Sequence, residues 1–183
     1  MADRPPAPAP LELVRQLVNT REIETGDDAL ATPTEAARWL RAQGLLEPRA
    51  RVAPSEAARL RAVREALRSL LLANNDAGLD TAALTVLNRA ADRCELGARF
   101  EPDGTIGVTG RGRGIDAAIG TVLAVVLGAV ADGSWPRLKA CKGEECQWAF
   151  YDRSRNRSSQ WCVMAVCGNR SKARAYRERR KEP

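Results

Sequence analysis

Four cysteines near the end of the chain constrain its fold more than any other feature of the sequence. Four residues separate Cys141 from Cys146, four separate Cys162 from Cys167, and fifteen separate the two pairs. Two cysteine pairs joined by a short connector are typical of a site for one tetrahedral metal ion, and thiolate sulfur suits zinc. The spacing therefore predicts one structural Zn²⁺ held by Cys141, Cys146, Cys162 and Cys167.

Two other states of these cysteines are compatible with the spacing, namely a pair of disulfides and a set of inert thiols. No apolar secretion signal precedes the cysteines, and disulfides are rare in the reducing cytosol. The segment is also too short and too polar to bury much apolar surface, so that metal binding can supply its folding free energy. We therefore favour zinc and expect a cytoplasmic protein.

Positive charge is concentrated in the same part of the chain. Residues 137–183 carry 13 Lys and Arg against 5 Asp and Glu, whereas residues 1–136 carry 16 against 18. A small module with such an excess is typical of a protein that binds a polyanion. The alternative is a basic tail that only keeps the protein in solution.

We predict that this module contacts double-stranded DNA, which would place the protein at the nucleoid. Residues four, three and four apart lie on one face of a helix, and this spacing relates Arg170, Arg174, Arg177 and Lys181. Arg153, Arg155 and Arg157 form a second basic group within the module. The full set of predicted DNA contacts is Arg153, Arg155, Arg157, Arg170, Lys172, Arg174, Arg177, Arg180 and Lys181.

The composition argues against an enzyme and against a membrane protein. The sequence contains no histidine, which is the commonest general base. Four thiolates around zinc also leave no open coordination position for a reacting water. The apolar stretch 115–130 is too short for a transmembrane span and contains Asp116.

RNA binding and a role as a protein-interaction adaptor remain the alternatives to DNA binding.

The first part of the chain predicts a mainly helical domain with one β-hairpin. Thr32 is suited to cap a helix that starts at Pro33, with Glu35 completing a capping box. Further helices are expected from Leu11, from Pro54 or Ser55 to about Asn74, after Asp80, and over 115–130. The alternating segment 98–109, with Pro102-Asp103-Gly104 at its centre, predicts the hairpin.

Two features of this domain carry expectations of their own. Helix 115–130 is apolar nearly all round, which is typical of the central helix of a bundle, and part of it is a candidate dimer interface. The arginines of the longest helix are expected to extend to solvent beside its apolar stripe. They are Arg59, Arg61, Arg64 and Arg68. Cys94 has no cysteine at ligand spacing and is expected to be a small buried residue.

The motifs around the cysteines resemble the CGNR zinc-finger family. They are Trp148-Ala149-Phe150-Tyr151-Asp152-Arg153, then Trp161-Cys162-Val163-Met164, then Cys167-Gly168-Asn169-Arg170. The resemblance implies a treble-clef-like finger with a knuckle, a β-hairpin and a helix that carries the last ligand, in a transcription regulator. It also implies that Arg153, Arg155 and Arg157 lie in the turn of this hairpin, where they suit phosphates. Gln160 departs from the pattern, because a basic residue often precedes the Trp-Cys pair in that family. One phosphate contact is therefore in question.

The segment Leu17-Val18-Asn19-Thr20 is similar to the start of the helical ABATE domain that usually precedes this finger. The prolines of residues 1–10 predict a flexible leader. The resemblance implies a sensor or dimerisation domain at 11–134 and a zinc finger at 135–183. The fold class is thus mainly α, with some β. Asn19, Thr20 and Trp39 are candidates for the pocket of a small-molecule effector. The alternative is that Asn19 and Thr20 satisfy nearby backbone groups and that Trp39 anchors the core.

Overall fold

The computed structural model describes residues 5–100 and 102–180. Its fold is mainly helical, as predicted, and contains two small hairpins. The helices are α1 (Leu11–Val18), α2 (Pro33–Ala42), α3 (Pro54–Ala73), α4 (Thr81–Cys94), α5 (Ile115–Ala131) and α6 (Asn169–Arg179). None of the helices in these ranges is both long enough and apolar enough to cross a membrane.

Two antiparallel hairpins complete the fold. Strands β1 (Gly97–Phe100) and β2 (Ile106–Thr109) form the hairpin predicted over 98–109. Strands β3 (Leu138–Ala140) and β4 (Ala149–Tyr151) form the second, which lies just after α5 and a short 3₁₀ turn. Cys141 and Cys146 lie between the two strands of this second hairpin, and Cys162 and Cys167 lie after it.

Local sequence signals set the helix ends. Thr32 accepts a hydrogen bond from the backbone of Glu35, and the Glu35 carboxylate accepts one from the backbone of Thr32, which confirms the capping box. The Asp80 carboxylate caps α4 by accepting a hydrogen bond from the amide of Ala82. Cys94 is fully buried at the end of α4, as predicted, and burial raises the pKa of its thiol to about 11.

A single buried cluster joins the helices to the second hairpin. Leu138, Ala140 and Ala149 of β3 and β4 are fully buried and belong to the same cluster as the apolar faces of α1, α3 and α5. Tyr151 also packs against this cluster. The hairpin that supports the cysteines is therefore docked on the helical domain by apolar burial, which is the main favourable term in folding.

Amide side chains fix the register of this docking. The Asn19 side chain donates to the carbonyl of Ala149 at 2.9 Å and accepts from its amide at 2.7 Å, as a neighbouring strand would. Asn75, at the end of α3, donates to the carbonyls of Ala140 and Gln160 at 2.8 and 2.9 Å. These bonds satisfy buried backbone groups that would otherwise be costly.

Two arginines of α3 are buried, and the prediction that they extend to solvent is wrong for them. The side chains of Arg64 and Arg68 are 2% and 3% exposed. Arg64 donates to both carboxylate oxygens of Asp28, at 2.5 and 2.9 Å. Arg68 donates to the carbonyls of Val18 and Gln147, at 2.7 and 2.9 Å. Acceptors from distant parts of the chain make this burial possible.

The Arg64 pair also controls the ionisation of its partner. Burial would raise the pKa of Asp28, but the hydrogen bonds from Arg64 and from the Leu30 amide outweigh it, so that the pKa is lowered. The carboxylate is therefore ionised at neutral pH. Removal of either partner leaves a desolvated charge, which costs more than the intact pair contributes.

We predict that Arg64→Met lowers the free energy of unfolding by about 3 kcal/mol, because Asp28 then lacks its counter-ion. Denaturant unfolding of the zinc-loaded protein measures the loss. The matched control is Arg38→Met, since Arg38 is exposed and lies 3.9 Å from its nearest carboxylate. We expect the control to change stability by less than about 0.5 kcal/mol. Equal losses in the two variants would contradict a special role for the buried pair.

Candidate metal centre and basic surface

The four predicted cysteines come together in one cluster. Their sulfur atoms all lie within 4.8 Å of one another. Cys162 Sγ lies 3.5 Å from Cys146 Sγ and 3.6 Å from Cys167 Sγ. Zinc–sulfur bonds of about 2.3 Å place tetrahedral sulfurs about 3.8 Å apart, whereas a disulfide requires about 2.0 Å. The donor set therefore fits one structural Zn²⁺, and the cysteines are free rather than joined in disulfides.

The first pair lies in the connection between β3 and β4. Cys141 directly follows β3, and its amide donates to the carbonyl of Trp148 at 3.0 Å. The Cys146 amide donates to the carbonyl of Gly143 at 2.9 Å, which folds the connection back on itself. Gln147 completes the knuckle with a positive φ of 45°. The hairpin thus presents two sulfurs from one tight turn.

The second pair leads directly into α6. Cys167 lies in a single π-helical turn, Met164–Gly168, whose last residue adjoins Asn169 at the start of α6. A Cβ on Gly168 would lie 2.3 Å from Met164 Sδ, so any larger residue at this position would force the Met164 side chain to move. The Asn169 side chain donates to the carbonyl of Ala165 at 3.1 Å and braces the π turn, not the knuckle. The metal centre therefore anchors the first turn of α6.

Electrostatics of the cluster favour a cation. Hydrogen bonding with Cys141 and Cys146, together with burial, raises the pKa of the Cys162 thiol far above its ordinary value. Hydrogen bonding with Cys141 likewise raises the pKa of Cys146 to about 12. So many sulfurs cannot all be thiolates at this distance without a positive charge between them. A divalent ion supplies that charge and deprotonates its thiol ligands.

Aromatic side chains cover part of the cluster. Phe150 is 1% exposed and packs with Cys141, Cys162 and Cys167 in a second, smaller buried cluster, against which Trp148 and Trp161 also pack. These side chains form a small aromatic core for the finger. Tyr151, in contrast, packs against the core of the helical domain. Apolar cover limits water access to the sulfurs.

A buried ion pair inside the finger was not foreseen from the sequence. Lys139 Nζ lies 3.0 Å from Asp152 Oδ2, and both residues are buried. Asp152 also accepts the amides of Ser154 and Ser159 at 2.9 Å each, and Lys139 donates to the carbonyl of Arg157 at 2.5 Å. The one available signal was a lysine within a strand of otherwise buried residues. The pair holds the segment that follows β4 against the hairpin.

The pKa of Asp152 follows from these contacts. Burial would raise it, but hydrogen bonds from Ser154, Lys139 and Ser159 outweigh burial and lower the pKa well below its ordinary value. The stabilisation from this carboxylate is therefore fully present above its unfolded-state pKa. It is lost only as the pH falls through the lower folded-state pKa.

Three of the predicted DNA contacts lie in a different place from the one expected. Arg153, Arg155 and Arg157 follow β4, whereas the hairpin turn is the cysteine knuckle between β3 and β4, so the prediction of a hairpin turn is wrong for them. In the sequence, both the cysteines and the arginines lie next to strand-forming segments. Only the pairing of β3 with β4 shows that the cysteines, and not the arginines, occupy the hairpin turn. Arg153 donates to the carbonyl of Pro6 at 2.7 Å, and its guanidinium lies 5.7 Å from the Tyr151 ring centroid.

The α6 arginines divide into two groups. Arg170 lies 3.1 Å from Glu24 and 3.7 Å from Glu145, and Arg174 lies 2.7 Å from Glu144. Both therefore lean toward acidic groups, two of which belong to the knuckle. The other described basic residues of the predicted helical set are exposed without a carboxylate partner among the described residues. They are Lys172, Arg177 and Arg180. Lys181 lies outside the described residues.

The candidate effector pocket at Asn19, Thr20 and Trp39 stays a prediction. Asn19 uses its amide on Ala149, as described above. Thr20 Oγ1 donates to the carbonyl of Leu17 at 2.7 Å and accepts from Arg64 at 3.2 Å. Trp39 is half-buried and packs against the helical core. The polar groups of Asn19 and Thr20 are thus occupied by the protein itself.

Comparison with known protein families gives two matches in chain order. Residues 11–133 match the ABATE family, described as "Putative stress-induced transcription regulator". Residues 137–180 match the CGNR zinc finger. No curated protein matches the chain.

We predict one zinc ion per chain, lost when a ligand is removed. Cys162→Ser should reduce the zinc content well below one ion per chain, because a neutral hydroxyl is a poor substitute for a thiolate. Cys94→Ser is the matched control, since Cys94 is buried away from the cluster and should leave the zinc in place. Elemental analysis of reduced, desalted protein measures both. Full zinc content in the Cys162 variant would contradict the four-sulfur site.

We predict that Asp152→Asn loosens the segment after β4 without loss of zinc. Lys139 then lies buried beside a neutral amide, and the amides of Ser154 and Ser159 lose a charged acceptor. Hydrogen exchange at these two amides should become at least about tenfold faster. Because its pKa is lowered, Asp152 of the wild type is ionised at both pH 6 and pH 8. The ratio of the exchange rate in the variant to that in the wild type should therefore be the same at the two pH values.

The matched control for this experiment is Asp103→Asn. Asp103 is exposed and accepts hydrogen bonds from Thr105 within the first hairpin turn. Exchange at Ser154 and Ser159 should not change in the control. An unchanged exchange rate in the Asp152 variant would show that the buried pair does not hold this segment.

Proposed function

The chain belongs to the ABATE family and ends in a CGNR zinc finger, and on this premise we propose that it is a zinc-dependent, DNA-binding transcription regulator. The finger contacts duplex DNA, and the helical domain senses an effector or mediates dimerisation. The observation that carries the proposal is the direct continuation of the metal centre into a basic helix. Cys167 and the first residue of α6 are two positions apart, so zinc orients the helix.

Charge supports DNA as the partner. The excess of Lys and Arg over Asp and Glu lies within residues 137–183, while residues 1–136 have a small acidic excess. Exposed guanidinium groups on α6 suit guanine edges and phosphates, since each offers paired donors. The segment after β4 adds exposed Arg155, which suits backbone contacts. Such a regulator acts in the cytoplasm at the nucleoid.

The helical domain offers a surface for self-association. Leu127 and Val130 of α5 are 44% and 56% exposed, and α5 carries no charged residue after Asp116. A helix face of this kind is suited to another apolar surface and unsuited to nucleic acid. We propose that it contributes to dimerisation.

We predict that replacing Arg170, Arg174 and Arg177 together by Gln abolishes the gel shift of duplex DNA while the zinc content stays the same. If about five phosphates are contacted, the wild-type log K falls with log salt at a slope of about −4 to −5. The triple variant should reduce that slope by about 3, since each basic contact contributes about one unit. Fluorescence anisotropy at several salt concentrations measures both quantities.

The matched control removes the same charge from the helical domain, by Gln at Arg38, Arg49 and Arg51, which are exposed. It should leave both affinity and slope close to wild type. Retained DNA binding in the α6 variant would contradict the proposal. Stronger competition by RNA than by duplex DNA would favour an RNA-binding protein, and the absence of salt-dependent binding would favour an adaptor.

The knuckle carboxylates compete with DNA for two of these arginines. Glu144 and Glu145 lie within 4 Å of Arg174, and Glu145 also approaches Arg170. We predict that Glu144→Gln with Glu145→Gln tightens duplex binding by roughly three- to tenfold, because exposed ion pairs are worth at most about 1 kcal/mol each. The control is Glu47→Gln with Glu95→Gln, two exposed positions in the helical domain. Weaker binding than in the control would show that the carboxylates position the arginines.

A further inference from the structure

A small cavity lies between α3, α4 and α5, away from the zinc finger. It measures about 260 Å³. Val63 of α3 and Ile119 of α5 are 2% and 1% exposed and form its floor with Val86 of α4. A floor built from three helices is a feature of pockets that bind the apolar part of a small molecule.

The rim of this cavity is positive. Arg59 of α3 and Arg89 and Arg93 of α4 line it, and Asp116 of α5 is the only acidic residue in the lining. This gives two positive charges in excess, within a part of the chain that is slightly acidic overall. Arg89 and Arg93 lie one turn apart and are both exposed. Neither has an ion-pair partner within residues 5–100 and 102–180.

The remaining arginine has an incomplete set of contacts. Arg59 Nη2 lies 3.0 Å from Asp116 Oδ1, but its Nε is buried and has no acceptor among the described residues. A buried donor without a partner is unfavourable, because it has lost its hydrogen bonds to water. An anionic oxygen in the cavity would offer the Arg59 guanidinium a further acceptor.

We infer that this cavity binds a small organic carboxylate, with the carboxylate against the three arginines and a short apolar body on the floor. Arginine pairs with carboxylates through two parallel hydrogen bonds, which suits a rim of guanidinium groups. An inorganic anion would leave the apolar floor uncovered. The inference rests on the proposed sensing role of the helical domain, and it gives that role a site other than Asn19, Thr20 and Trp39.

The same helix connects this cavity to the finger. Arg59 and Val63 of α3 line the cavity, while Arg68 of α3 donates to Gln147 of the knuckle and Asn75 binds Ala140. A ligand that prefers one position of α3 therefore changes the population of finger positions. It does so by no more than its difference in affinity between them.

The test uses the full-length, zinc-loaded protein and sodium hexanoate as the probe, followed by NMR of backbone amides without DNA. Hexanoate should shift amides of α3, α4 and α5 around the cavity and bind at least about tenfold more tightly than the uncharged hexanamide. Arg89→Gln with Arg93→Gln should weaken hexanoate binding by at least about tenfold. Arg49→Gln with Arg51→Gln, which removes the same charge elsewhere, should not change it.

Equal binding of hexanoate and hexanamide would overturn the inference, and this comparison needs no variant. Equal hexanoate binding in the two arginine variants would overturn it as well. Tighter binding of inorganic phosphate than of hexanoate would exclude an organic carboxylate as the preferred ligand. These outcomes are independent of DNA binding, which is measured separately, so that failure of the cavity and failure of the regulator proposal are distinguishable.

Discussion

Four sulfur atoms placed within 4.8 Å of one another are the constraint on which the finger depends. Their lone pairs and negative charges can share this space only around a cation, so the metal and the local fold require each other. The knuckle, the π turn and the first turn of α6 are all short, and none of them buries enough apolar surface to be stable alone. Zinc binding therefore supplies the stability of residues 141–168, as apolar burial supplies that of the helices.

The finger is packed against the helical domain and is not joined to it by a flexible linker. Its two strands are buried against α1 and α3, and Asn19 and Asn75 satisfy their backbone groups from the helical side. Arg68 reaches the knuckle itself. Metal binding, apolar burial and the hydrogen bonds from Asn19, Asn75 and Arg68 thus all act on β3, β4 and the knuckle. Loss of any one of these interactions would weaken the other two. A change in the position of α3 would therefore displace the strands that support the metal centre.

Features that depend on neighbouring residues could be predicted from the sequence, and those that depend on distant partners could not. The cap at Thr32, the first hairpin and the spacing of the four cysteines are local signals, and the structure confirms them. The burial of Arg64 depends on Asp28, 36 residues away, and the pairing of Arg174 with Glu144 spans 30 residues. Helix propensity and hydrophobic periodicity describe only residues that are near one another in the sequence, so they cannot predict such distant ion pairs.

If the finger binds DNA as proposed, its fixed attachment to α3 has a consequence for the spacing of its target sequences. A finger on a free tether tolerates variable separation between its target sequences, whereas one clamped by buried strands does not. If two chains associate through the uncharged face of α5, the distance between their recognition helices is set by the body of the dimer. The half-sites would then be separated by a constant number of base pairs, and an inserted half-turn of DNA would turn one finger away from its groove.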